Sequence, residues 1–81
     1  MSSDPAVSGK EAVQALQRLG FRLDRVEGSH HMLLKAGQSH TVVVPVHGSH
    51  VLPKGTLASI IRGARVSKKQ LFEVIGQRRS R

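Results

Sequence analysis

No cysteine occurs in the 81 residues, which excludes a disulfide framework, a thiol nucleophile and any cysteine-ligated zinc site. Tryptophan and tyrosine are missing too, and the two phenylalanines, Phe21 and Phe72, read as core, so little aromatic surface is left for stacking on bases. The five acidic residues are scattered and form no carboxylate cluster of the kind that holds a divalent cation. No apolar run approaches the ~20 residues of a membrane helix. Met1-Ser2-Ser3-Asp4-Pro5 lacks the basic-then-apolar pattern of a secretion signal. The expected setting is the cytoplasm, with no membrane partner.

What the chain has in excess is positive charge. Thirteen Lys and Arg against five Asp and Glu give a formal charge of +8. With Arg78, Arg79 and Arg81 set aside, ten cations still face five acids, so the basicity belongs to the body as well as the tail. Such a surface suits a polyanion, nucleic acid first and an acidic protein second. At this length the chain is one domain with a modest core and a shallow site, expected over residues 8–76, with flexible ends at 1–7 and 77–81.

The periodicities predict helix, three strands and two short helices, an α+β pattern. Ser8-Gly9-Lys10-Glu11 is a capping box that starts a first helix, Val13, Leu16 and Leu19 mark its buried stripe, and Gly20 ends it. Phe21 to Arg25 alternates apolar and charged residues, as a half-buried strand does. His30 to Lys35 and His40 to Val46 form two more strands around the turn Ala36-Gly37-Gln38-Ser39, and Pro45 puts the third at an edge or an exit. Pro53 opens a second helix carrying Leu57, Ile60 and Ile61. Ser67-Lys68-Lys69-Gln70 caps a third, with Leu71, Phe72 and Ile75 buried and Gly76 as its stop.

A four-residue loop in the second hairpin sets Lys35 opposite His40, Leu33 opposite Val42 and His31 opposite Val44, with Met32, Leu34 and Val43 on the other face. Both faces are then apolar. The helices of so short a chain cover one of them, and the other is expected to be covered by a partner, with Leu33 and Val42 as its contact, or left partly exposed.

Chemistry concentrates at Glu27-Gly28-Ser29-His30-His31, where a tight turn delivers His30 to the mouth of a strand. An imidazole titrates near pH ~6.5 and serves as base or acid. RNA is cut without metal when a base takes the 2′-hydroxyl proton, an acid protonates the leaving 5′-oxygen and cations stabilise the phosphorane charge. Arg25, Lys35 and Lys54 are the candidate cations. His40, His47 and His50 read as solvated turn residues, and no histidine pair has the helical spacing of a zinc site, so neither metal nor cofactor is implied.

Four motifs stand in order: Leu19-Gly20-Phe21, Gly28-Ser29-His30-His31, Val42-Val43-Val44-Pro45-Val46-His47, and Leu52-Pro53-Lys54-Gly55-Thr56-Leu57 followed by Ile60-Ile61-Arg62. Together they resemble the HicA family of toxins over roughly Ser8 to Ile75. The resemblance implies a double-stranded-RNA-binding-like fold, an mRNA endonuclease, and inhibition by a HicB-type antitoxin, the free toxin being a monomer. It makes His30 the catalytic residue, with Gly28, Ser29 and the neighbouring His31 around it. The chain departs from the family pattern in three places: Met32-Leu33-Leu34 carries no aromatic, His50 stands in a loop usually charged or polar, and Arg65 takes a junction that is usually glycine. Two other classes fit the composition, a non-catalytic RNA-binding module of the same fold and a basic protein that binds an acidic partner.

Overall fold

The computed structural model describes residues 5–79. Helix α1 (Gly9–Arg18) is followed by strands β1 (Arg22–Glu27), β2 (His30–Leu34) and β3 (Val42–Pro45), then by helices α2 (Lys54–Ala64) and α3 (Lys68–Arg79). The strands form one antiparallel sheet in the order β1-β2-β3. This is the α+β order of a double-stranded-RNA-binding-like fold, with the helices on one face of the sheet.

Both capping boxes form as the sequence predicts. Ser8 Oγ accepts from the Glu11 amide and Glu11 accepts from the Ser8 amide, both at 3.1 Å. Ser67 and Gln70 exchange the same bonds at 3.0 and 2.9 Å. Each box satisfies amides that a helix start leaves without intrahelical partners. Gly20 takes φ +103° after α1, the left-handed stop that its position requires. Gly76 does not stop α3, which runs on to Arg79. The last turn is held from outside: Arg79 binds the Glu11 carboxylate at 2.6 and 2.7 Å and the Ala6 carbonyl at 2.7 Å.

The core lies between α1, α2, α3 and the near face of the sheet, where Leu16, Leu33, Val44 and Leu71 are fully buried. Of the ends expected to be flexible, residues 1–4 and 80–81 lie outside the described residues. Val7 is buried in the core, and residues 77–79 belong to α3.

The β2-β3 register is the one read from the loop length, with Leu33 opposite Val42 and His31 opposite Val44. The ladder ends there, so Lys35 and His40 do not pair. Instead the Gln38 amide donates to the Lys35 carbonyl at 3.0 Å and the Gln38 side chain to the Ala64 carbonyl at 3.2 Å, which ties the loop to the end of α2. Pro45 is the last residue of β3, an edge strand, where a missing N–H costs no ladder bond.

Two expectations are corrected. Leu33 and Val42 do not await a partner, because α1 and α2 pack over β3 and leave them 0% and 3% exposed. Met32, Leu34 and Val43 form the open face. Nor is β1 half-buried: all six of its residues are exposed, including Leu23 and Val26 on the helix side of the sheet, because the helices stop short of this edge.

Candidate active site

The site grows from the β1-β2 turn. Glu27 pairs with His30 across Gly28 and Ser29, the shortest common hairpin loop. Gly28 carries φ +59° and its α-carbon faces open space, so the turn needs glycine for its backbone and not for lack of room. A positive φ at the first central residue alone is the signature of a type II′ turn, whose twist suits the flanking strands. The Ser29 carbonyl accepts from the Val46 amide at 2.7 Å, so the turn is pinned to the exit of β3.

His30 is the first residue of β2 and is exposed, with Glu27 on one side and Pro45 on the other. His31 points the opposite way, into the helix-side layer opposite Val44 and Val26, and its Nδ1 is buried without a hydrogen-bond partner. The two histidines therefore work in different surroundings. His30 meets solvent, whereas His31 is partly enclosed by the core.

Arg25 reaches the His30 face through a bulge. The pairing slips between Leu23, opposite Leu33, and Arg25, opposite Met32, so Asp24 is the extra residue and Arg25 moves to the face of His30 and Met32. Simple alternation would have put Arg25 on the same face as Leu23. The guanidinium lies 3.2 Å from the Glu27 carboxylate and 3.1 Å from Met32 Sδ. Arg22, opposite Leu34, adds a second cation to this face.

Two of the expected cations stand elsewhere. Lys35 is five residues along the chain from His30, about 16 Å at the rise of a strand. Its ammonium sits 5.5 Å above the Phe21 ring. Lys54 begins α2 and lines a groove of the helical layer. His40, His47 and His50 are exposed, and His50 closes a turn on the His47 carbonyl at 3.0 Å. Glu27, expected only as the residue that opens the turn, is part of the cluster. A two-residue loop makes its flanking residues direct neighbours, and that rule would have found it.

The exposed ensemble of His30, Arg25 and Glu27 on an open sheet face offers proton transfer beside a cation, without an enclosed cavity, and Arg22 lies farther along the same face. Residues 9–66 match the family model of the HicA toxin of bacterial toxin-antitoxin systems. The chain belongs to the HicA toxin family. The matched segment spans α1, the whole sheet and α2, and so contains every residue of the His30 cluster. Pro5, Ala6, Val7 and α3 flank it. A search of the curated proteins finds no match. In this HicA toxin no described helix is long and apolar enough to cross a membrane.

Proposed function

We propose that this HicA toxin is a metal-independent endoribonuclease that cleaves mRNA with His30 and is held inactive by a HicB-type antitoxin. The observation that carries the reading is the exposed His30, pinned by the Gly28-Ser29 turn and the Ser29–Val46 hydrogen bond, on a sheet face that also bears Arg22 and Arg25. His30 accepts the 2′-hydroxyl proton, the 2′-oxygen attacks phosphorus, and the bond to the 5′-oxygen breaks as that oxygen takes a proton from solvent. The product is a 2′,3′-cyclic phosphate. Arg25, opposite Met32, offsets the developing charge on the phosphate, a role that needs position more than covalent chemistry, while Arg22, farther along the same face, adds to the field that draws the strand in.

The open face favours a single strand, whose bases lie against Met32, Leu34 and Val43, the last 42% exposed. An acidic antitoxin covering the same face would meet both its charge and its apolar residues. The test is His30→Ala, checked for fold by circular dichroism. Cleavage of RNA should fall at least about a hundredfold, the scale of a lost general base, and growth arrest on expression should disappear. Wild-type cleavage should survive EDTA and stop when the scissile nucleotide is 2′-deoxy. A folded His30→Ala protein that still cuts RNA overturns the assignment. Tight RNA binding without cleavage by the wild type would make the protein a binding module.

A further inference from the structure

On the helical layer, away from the open sheet face, a groove of about 390 Å³ runs between the N-terminal segment, the Val51-Leu52 loop, α2 and α3. Its floor is aliphatic, with Val7, Leu52 and Leu57 buried, and Val51 stands 57% exposed on its wall. Lys54, Arg62 and Lys68 are the charged residues that line it, and no carboxylate does. The volume falls in the range of ~300–1,000 Å³ typical of sites that enclose a ligand.

Two features give the groove a role of its own. Its walls come partly from outside the family-matched segment, from Pro5, Ala6 and Val7 before residue 9 and from Lys68 and Phe72 after residue 66. These additions are also fastened in place. The Leu52 amide donates to the Val7 carbonyl at 2.7 Å, Ser8 bridges to Val51, and Arg79 ties the end of α3 to Ala6 and Glu11. An apolar trough with fixed walls and a cationic border matches an amphipathic acidic segment, whose apolar side chains fill the trough while its carboxylates meet Lys54 and Arg62. A nucleic acid would find the cations but little to stack on, because Phe72 is the groove's one aromatic residue.

We propose that this groove is a second docking site for the antitoxin, taking an acidic amphipathic segment separate from the part that covers His30. The inference rests on the antitoxin reading above and adds where this chain distinguishes its own partner from those of other family members. Two-point attachment raises affinity through effective concentration without asking more of the shallow catalytic face.

The test uses the full chain in a His30→Ala background, with a purified acidic HicB-type antitoxin as probe. Ala58→Glu and Arg62→Glu both place a carboxylate at the groove on exposed positions of α2, so the fold should survive, as circular dichroism would verify. Each should weaken antitoxin binding at least about tenfold, equivalent to ~1.4 kcal/mol. In the wild-type background the same substitutions should leave RNA cleavage unchanged. Wild-type antitoxin affinity in both variants overturns the groove proposal and leaves the antitoxin reading standing. No binding even without the groove substitutions overturns both. A toxin that self-associates through the groove, and becomes monomeric on Arg62→Glu with antitoxin affinity intact, assigns the groove to a second copy instead.

Discussion

Arg79 grips Glu11 with two arms of its guanidinium, Nε to Oε2 at 2.6 Å and Nη2 to Oε1 at 2.7 Å, joining the last turn of the chain's last helix to the first turn of its first. The Arg79 hydrogen bond, helped by the Ser8 amide and opposed by partial burial, holds the Glu11 carboxyl down at about 2. A carboxyl lowered in the folded state stabilises it fully above its unfolded value of 4.5, and the stabilisation drains away as pH falls through about 2. Because the pair is partly exposed, its worth is about 1 kcal/mol or less at neutral pH. Arg79→Ala should therefore lower the melting temperature at neutral pH, and its gap from the wild type should narrow as pH drops through that window. Parallel thermal melts from neutral to strongly acidic pH check this; a constant gap would contradict it.

Glu27 stands opposite His30 and beside Arg25, so on the proposed reading it puts a negative charge where an RNA phosphate would approach. Glu27→Gln removes that repulsion and releases Arg25. RNA affinity should rise a few-fold and its salt dependence should steepen, since one more cation displaces counterions. Binding isotherms at several salt concentrations read both effects. A fall in kcat at unchanged KM would instead make Glu27 a participant in proton transfer.

Gly9 begins α1 directly against β3. A β-carbon there would overlap the Pro45 carbonyl oxygen and lie 3.0 Å from the Val46 α-carbon, both backbone atoms. Gly9→Ala should cost ~1–3 kcal/mol through overpacking. It should also slow RNA cleavage beyond what stability explains, because Pro45 pairs with His30 and Val46 pins Ser29. Urea denaturation and cleavage assays on the folded fraction separate the two losses.

Arg65 closes α2 in the left-handed conformation, at φ +59° and ψ +36°, the one non-glycine residue with positive φ among those described. An L-residue pays about 1 kcal/mol for that conformation, and glycine returns part of it in unfolded-state entropy. Arg65→Gly should raise stability by up to ~1 kcal/mol, measurable as a higher urea midpoint at constant m-value.

Local signals carried most of the fold. Ser8 with Glu11, Ser67 with Gln70, Gly20 and the Leu33–Val42 register are decided within a few residues, by caps and by the symmetry of the hairpin, which keeps its register although the loop opens to residues 35–41. Non-local events were illegible. The bulge at Asp24 that moves Arg25 beside His30 follows from how β1 fits its neighbour, and no residue type announces it. Whether Leu33 or Met32 faces the helices depends on which side of the sheet α1 and α2 choose. The turn of α3 beyond Gly76 ends on Arg79, which is tied to the Glu11 carboxylate 68 residues earlier in the chain. His30 itself was legible because its placement needs only a glycine turn.

Strand β1 buries none of its six residues and touches the sheet along one edge. Its attachment is therefore mostly a ladder of backbone hydrogen bonds, with little apolar contact to make detachment cooperative with global unfolding. Its amides should exchange with deuterium through local opening, well ahead of those in β2 and α1. Each opening would carry Arg25 and Glu27 away from His30, so the proposed site would be intermittent in the free protein, and RNA or antitoxin seated on it would slow exchange along the strand.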